Sequence, residues 1–259
     1  MLLFCDLGNT KISFGLFDNG NFTNIFSAKY PHNSAIQGFV SILNSTIQGI
    51  NVEACVISSV VDELNPALEE AIVQVLHVNP LYISTDWDLG IKIQAHNPET
   101  IGTDRIANVC AASKLYEQRP LIVVDSGSAT TFDIIDKEGA FIGGLIFPGL
   151  YMQLNALSNN TSKLPELNLD MMDKVQTIIN TDTKKAILSG VVNGQAQAIQ
   201  GLIVKCEREL RKKAFIVGTG GDAKLLDKYM RYKKFDSINP YLTLEGIRII
   251  YERILTKPI

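Results

Sequence analysis

The chain reads as an α/β protein built from two copies of one unit with a cleft between them. Three observations carry that reading. Each half runs through three strand-like segments and then alternates helix and strand, in the order β-β-β-α-β-α. The first strand of each half closes on Asp-x-Gly, as Asp6-Leu7-Gly8 and again as Asp125-Ser126-Gly127. No low-complexity linker separates the halves, and the pattern restarts after residue 118, so the expected domains are 1–118 and 119–259.

In the first half, Met1 to Cys5 is apolar. Ile12, Phe14 and Leu16 then alternate with Lys11, Ser13 and Gly15, the period of a half-buried strand. Asn19-Gly20 is a hairpin signal, and Phe22 to Ala28 follows as a third strand. From Ser34 the period lengthens, and Ile36, Phe39, Val40, Leu43, Ile47 and Ile50 fall on one helical face. Ala54 to Ser58 is a short buried strand. Leu64, Leu68, Ile72 and Val75 mark a second helix, and Leu81 to Ser84 a further strand. A polar loop leads to Gly102, after which a helix carries Ile106, Val109, Cys110 and Ser113.

In the second half, Leu121 to Val124, Thr130 to Asp136 and Ala140 to Ile146 are the expected strands. Helices are expected at about 149–158 and 184–212, a strand at Ala214 to Val217, and helices near 222–231 and 244–255.

Composition narrows the function. Of the 259 residues, 46% are hydrophobic and 20% charged, which suits a folded chain with a sizeable core. There are 24 basic and 27 acidic side chains, so the net charge of -3 argues against a duplex-binding surface and no nucleic-acid partner is expected. The strongest basic cluster, Arg208, Arg211, Lys212 and Lys213, is short, interleaved with acids and reads as a solvated helix face. Cys5, Cys55, Cys110 and Cys206 form no C-x-x-C pair, so reduced structural thiols in a cytoplasmic protein are expected rather than a zinc site. Asp6 interrupts the only apolar stretch near the N-terminus, and no apolar run approaches the roughly 20 residues a membrane helix needs, so neither export nor a membrane partner is expected.

The chemistry is carried by small-residue turns. No G-x-x-x-x-G-K-[ST] and no G-x-G-x-x-G is present, and His32, His77 and His96 are scattered. The hairpin from Asp6 to Ser13 offers another phosphate cradle. Gly8 lets a ligand approach the backbone, turn amides form an anion nest, Asn9, Thr10 and Lys11 add donors, and Asp6 suits a hydrated Mg²⁺. Alone, the segment also fits a plain Asx-type turn. Asp125-Ser126-Gly127-Ser128-Ala129-Thr130-Thr131 packs hydroxyls and amides behind a second acid, fit for phosphate or a cation, and a simple turn stays open there too. Gly102-Thr103-Asp104-Arg105 opens a helix. Asp104 there is either a proton acceptor or an acid favoured by the helix dipole, and Arg105 either an anion ligand or a surface charge. Gly143 to Gly149 and Gly218-Thr219-Gly220-Gly221-Asp222 complete the set.

Taken in order, these segments resemble the type III pantothenate kinase family of the acetate-kinase, sugar-kinase, Hsc70 and actin superfamily. Asp6 to Thr10 looks like its first phosphate motif, and Asn97-Pro98 with Gly102 to Arg105 like its pantothenate motif. Asp125 to Thr131 looks like its second phosphate motif, Gly143 to Gly149 like its Gly-Gly-x-Ile-x-Pro-Gly signature, and Gly220-Gly221 like its adenosine-side glycines. The chain departs from the family pattern at Ala95, where Tyr is usual, at Thr103 for Ala, at Ser128 for Thr and at Asp182 for Asn.

The resemblance implies two ribonuclease-H-like, actin-like ATPase domains and an ATP-dependent phosphorylation of pantothenate to 4′-phosphopantothenate, the first step toward coenzyme A. It implies Asp104 as base and Gly102, Thr103, Asp104, Arg105 and Thr183 toward pantothenate. Asp6, Leu7, Gly8, Asn9, Thr10, Lys11, Ile12, Ser13 and Ser128 fall toward ATP. Asp6 is expected to serve Mg²⁺ through water, and Asp125 a monovalent cation, K⁺ or NH₄⁺. A homodimer with the substrate site at its interface is the implied assembly. Two rival readings are a non-catalytic transcriptional accessory homologue and a sugar or acetate kinase of the superfamily.

Overall fold

A computed structural model describes residues 1–31, 34–161, 163–175 and 177–256; His32 lies outside the described residues. The elements run β1 (Leu2–Leu7), β2 (Ile12–Asp18), β3 (Asn21–Ala28), α1 (Ala35–Ile47), β4 (Ala54–Ser59), α2 (Asn65–Leu76), β5 (Leu81–Tyr82) and α3 (Thr103–Leu115). They continue with β6 (Leu121–Ser126), β7 (Ala129–Ile135), β8 (Phe141–Pro148), α4 (Leu150–Asn159), α5 (Thr183–Glu209), β9 (Phe215–Thr219), α6 (Ala223–Tyr229), β10 (Ser237–Ile238) and α7 (Leu242–Thr256).

The two sheets have one topology. The first has the order β3-β2-β1-β4-β5 and the second β8-β7-β6-β9-β10. In each, the first three strands form an antiparallel meander, and the fourth and fifth pair in parallel. This is the duplicated ribonuclease-H-like arrangement, and it bears out the repeat inferred from the two Asp-x-Gly strands.

In the first unit the two-residue strand period sorts side chains onto two faces. Leu3, Cys5, Leu7, Ile12, Phe14, Cys55 and Ile57 pack with Phe39 and Leu43 of α1 and Leu68 and Ile72 of α2. Phe4, Phe17 and Val56 pack on the other side with Ile106, Ala107 and Cys110 of α3 and Leu244, Ile247, Ile250 and Tyr251 of α7. The units therefore comprise Met1–Leu115 together with α7, and Tyr116–Tyr241. This corrects the assignment of residues 119–259 to one domain. The apolar stripe of α7 completes the cover over β1 and β4, and the chain returns to its first unit to bury it.

In the second unit Ile122, Val124, Phe132, Ile134 and Ile216 form a core with Leu150 and Leu154 of α4, Leu188, Val192, Ile199 and Ile203 of α5, and Leu226 of α6. Helix α5 stops short of the expected residue 212. Arg211 adopts a left-handed φ of 52°, and Lys212 N donates back to Glu207 O over 3.2 Å. The Glu207 side chain, 4% exposed, lies 2.8 Å from Lys213 Nζ and 3.0 Å from Lys233 Nζ, and it accepts from Ala214 N at 3.1 Å. Burial pushes its carboxyl up, but hydrogen bonds from the two lysines and the amide outweigh it and hold it below the usual glutamate range. Arg208, Arg211, Lys212 and Lys213 are exposed around this end, as a solvated helix terminus should be.

Cys5, Cys55 and Cys110 are buried and Cys206 half-buried, all as free thiols. Among the described residues no helix is long and apolar enough to cross a membrane.

Candidate active site

In the first unit the strand register builds a polar row. Asp6 on β1 lies opposite Ser13 on β2 and Ser58 on β4, and paired residues share a sheet face. The β1–β2 turn is closed by Gly8 N donating to Lys11 O at 3.1 Å, and Tyr30 Oη donates to Gly8 O at 2.6 Å. A Cβ at Gly8 would meet only Lys11 O, at an ordinary 3.5 Å. Nothing inside the chain demands glycine there, so the open side of the turn is available to a ligand. Asn9, Thr10 and Lys11 are exposed. Leu7 and Ile12 bury their side chains completely, so any phosphate contact they make is through the backbone.

Helix α3 is anchored to the same end of that sheet. Thr103 Oγ1 donates to Ser59 O at 2.9 Å, accepts from Ser59 N at 3.0 Å and shares a 3.0 Å hydrogen bond with Ser58 Oγ. One donor and two acceptor sites are all a hydroxyl has, so Thr103 is committed to fixing the helix start. Asp104 Oδ1 accepts from Arg105 N at 2.7 Å. Gly102 leaves the room this carboxylate needs, because a Cβ there would stand 2.5 Å from Asp104 Oδ1 and 3.2 Å from Val60 Cγ1. Burial raises the Asp104 carboxyl above the ordinary aspartate value, against the lowering pull of the Arg105 amide and guanidinium. Arg105 is half-buried. Ahead of the helix, Asn97-Pro98 forms a short 3-10 turn, with Thr100 Oγ1 donating to Asn97 O at 2.8 Å. Ala95 is half-buried and His96 exposed on the loop before it. His77 caps α2 in a left-handed conformation and takes no part.

The second unit repeats the row. Asp125 on β6 lies opposite Thr131 on β7 and Thr219 on β9, so this acid too sits between two hydroxyl residues. Three small-residue segments meet at this end. Gly149 N donates to Ser128 O at 3.2 Å, and a Cβ at Gly149 would clash with the Gly127 and Ser128 carbonyls. Gly220, with φ of 86°, presses on the Asp125 carboxylate and Ser126 O, where any side chain would collide. Asp222 N donates to Ser126 O at 3.0 Å. Thr131 Oγ1 is buried with no hydrogen-bond partner among the described residues.

The fold thus gathers Asp6 to Ser13 with Gly102 to Arg105 in one unit, and Asp125 to Thr131 with Gly149 and Gly218 to Asp222 in the other. Thr183 is not part of either gathering. It is the exposed first residue of α5, behind Asp182, whose side chain caps the helix by accepting from Lys185 N at 2.9 Å. Ser58, Ser59 and Tyr30 went unread in the sequence. The two serines carried a signal, hydroxyls at the end of a buried strand beside the Asp6 strand; Tyr30 carried none.

The profile of a family described as type III pantothenate kinase matches residues 2–205. A type III pantothenate kinase of Persephonella marina is 35% identical over 257 residues, covering 97% of this chain and 98% of that protein. Among solved structures, a conserved putative Baf family transcriptional activator from Campylobacter jejuni superposes with a TM-score of 0.60 at 22% identity, over 98% of this chain and 100% of that one. The activator of 2-hydroxyisocaproyl-CoA dehydratase from Clostridium difficile, with bound ADPNP, gives 0.57 at 9% identity over 99% and 96%. At those identities the two structures speak for the fold alone.

Proposed function

The chain belongs to the type III pantothenate kinase family, and from that membership we propose that it transfers the terminal phosphoryl group of ATP to the primary hydroxyl of pantothenate, opening the route to coenzyme A. The observation that carries the reading is the tie from Asp6 to Asp104. Asp6 shares its row with Ser58, Ser58 bonds Thr103, and Thr103 sets the helix turn that presents Asp104. A phosphate-type turn and a half-buried carboxylate therefore stand at one end of one sheet.

Phosphoryl transfer asks the protein for positioning and charge neutralisation. In this mechanism Asp104 accepts the hydroxyl proton as the pantothenate oxygen bonds to the γ-phosphorus. The bond from that phosphorus to the bridging oxygen of ADP breaks, and ADP leaves. Arg105 holds the substrate carboxylate, Gly102 supplies the clearance for Asp104, and Thr103 holds the turn from behind. The Gly8 to Lys11 amides and side chains, with the backbone of Leu7 and Ile12 and the Ser13 hydroxyl, receive the ATP phosphates. Ser128 is assigned to ATP as well, as the hydroxyl residue of the second phosphate-type turn.

Among the described residues no three His, Cys, Asp or Glu side chains cluster around a metal position. A divalent ion at Asp6 would then complete its shell with phosphate oxygens and water, as Mg²⁺ does, and would neutralise phosphate charge. Asp125 suits a monovalent cation, and the orphaned Thr131 Oγ1 in its row is the oxygen ligand that supports this.

A coupled ADP-release assay with pantothenate and a panel of sugars tests the reading. Pantothenate alone should be turned over, several-fold faster in K⁺ or NH₄⁺ than in Na⁺ at equal ionic strength, with Asp125→Ala abolishing the difference. Turnover of a sugar, or of nothing, would overturn the substrate; equal rates in Na⁺ and K⁺ would remove the cation.

A homodimer is the assembly we propose. Its support is an apolar surface on the second unit, where Ile142 and Ile146 of the edge strand β8 and Tyr151 and Met152 of α4 are exposed, Ile146 by 62%. Ile178 and Ile179, exposed by 64% and 85%, lie just ahead of Thr183, which would reach the substrate of the partner copy. Light scattering at assay concentration should give twice the chain mass, and a monomer would remove the shared site. The free thiols fit a cytoplasmic enzyme, which recovery from an exported fraction would exclude.

A further inference from the structure

We infer that Gln195 is a positioning residue for nucleotide binding, acting through Thr130 on the turn between β6 and β7; the inference rests on reading that turn as a phosphate-binding loop.

Gln195 lies on the buried face of α5 among Leu188, Val192, Ala196 and Ile199, and is 1% exposed. A primary amide in such a place costs free energy unless both its ends are bonded. Both are. Its Oε1 accepts from Gln153 Nε2, and its own Nε2 donates to Thr130 Oγ1 at 2.7 Å. Gln153, in the first turn of α4, also donates to Pro148 O at 3.0 Å. A line of hydrogen bonds therefore runs from the end of β8 through two helices to β7. A leucine at 195 would fill the same space with no amide of its own to satisfy, so what the amide adds is its hold on Thr130 and Gln153.

The direction of the line fixes what is oriented. The end of Gln195 that faces Thr130 is its Nε2, which only donates, so Thr130 receives a hydrogen bond there and its own hydroxyl hydrogen points elsewhere. Its register partner Ser126 is 1% exposed, and Ser126 Oγ has no partner among the described residues. Thr130 and Ser126 flank Gly127 and Ser128 on either side. The turn is tied a second time by Gly149 N donating to Ser128 O, and Gly149 directly follows Pro148. The line thus begins and ends on the same turn, closing a frame of α4, α5 and β7 around it. That frame sets where the Ser128 hydroxyl and the turn amides stand, while Gln195 itself touches no ligand.

Calorimetric titration of ADP and of a non-hydrolysable ATP analogue, without pantothenate, tests this. Gln195→Leu and Thr130→Val are each expected to weaken nucleotide binding about tenfold, the worth of one buried hydrogen bond. The double variant should bind no worse than either single one, because both break the same line. Thr130→Ser keeps the hydroxyl and should bind like the parent. In turnover, Gln195→Leu should raise the KM for ATP and leave that for pantothenate unchanged. Parent-like affinity in a folded Gln195→Leu protein, with only its melting temperature lowered, would overturn the inference, as would multiplying losses in the double variant. Should Gln195→Leu fail to fold, the Thr130→Val and Thr130→Ser pair decides alone. A parent protein that binds no nucleotide overturns the loop reading and this inference together. One that binds nucleotide but leaves pantothenate unphosphorylated removes only the substrate.

Discussion

Replacing Asp104 by asparagine is expected to lower turnover on the order of 10²-fold or more while the protein stays folded. The amide keeps the shape and can still accept from Arg105 N, but it cannot take a proton from the attacking hydroxyl. The fold itself has no need of the charge. Burial raises the Asp104 carboxyl above its ordinary value, so the ionised form is less favourable folded than unfolded. Between the unfolded and the folded value, the native state holds more protons, and stability falls as pH rises through that window. Above it the penalty is fully present, and Asp104→Asn removes it. The variant should therefore melt at the parental temperature or slightly higher, separating loss of chemistry from loss of structure. The same shift sets the acid limb of the parent's kcat/KM against pH, which reports the free enzyme. A base must be ionised, so activity should fall as pH drops through a value above the usual aspartate range, and Asp104→Asn should flatten that limb. Near-parental turnover in the folded variant would take Asp104 out of the mechanism.

The parts of this fold that were legible in the sequence are those with a local physical cause. The alternation of Ile12, Phe14 and Leu16 is a strand whatever surrounds it, and Asn19-Gly20 turns the chain by its own backbone preferences, with both residues at positive φ. The Asp-x-Gly repeats were legible as a pattern, and the register gives the reason: in both units the acid pairs on either side with a hydroxyl residue. Other features have causes far away in sequence. The stripe Leu244, Ile247, Ile250 and Tyr251 announces a helix but not which sheet it will cover. Strand β10 has two residues, too few to show a period.

The candidate site divides in the same way. Thr103 stands in a substrate motif, but that its hydroxyl is held by Ser58 and Ser59, some 44 residues earlier, has no signal in its own neighbourhood. Gln195 looked like an ordinary polar residue in a long helix, and only its separation of 65 residues from Thr130, closed by the fold, makes it part of the site. Hydroxyls and amides have no periodicity of their own. Their roles become visible once the apolar pattern has brought their strands and helices together.

Gly246→Ala should be among the most destabilising single methyl additions in the chain, and it should reach the active site from a distance. Gly246 lies on α7 where that helix crosses α3, and a Cβ there would fall onto the backbone of Ala107, its carbonyl oxygen and carbon and its Cα. No side chain can swing away from such a contact; one helix has to move. Gly246 is buried, and its φ is not in the left-handed region, so the cost is one of space and not of backbone strain. Forcing extra volume into a packed helix crossing costs on the order of 3 kcal/mol, which lowers the melting temperature of a protein this size by roughly 10 °C. The displaced partner is α3, and Asp104 stands in its first turn, three residues before Ala107. A shift of α3 strains the hold of Thr103 on Ser59 and moves the carboxylate relative to the Asp6 row. Turnover should therefore fall below what the unfolded fraction explains, even at temperatures where the variant is fully folded. Melting curves and kcat measured well below the transition separate the two effects. A variant that melts like the parent would mean that α7 does not press on α3 at this point. One that melts early but turns over normally would mean that α3 yields without moving Asp104.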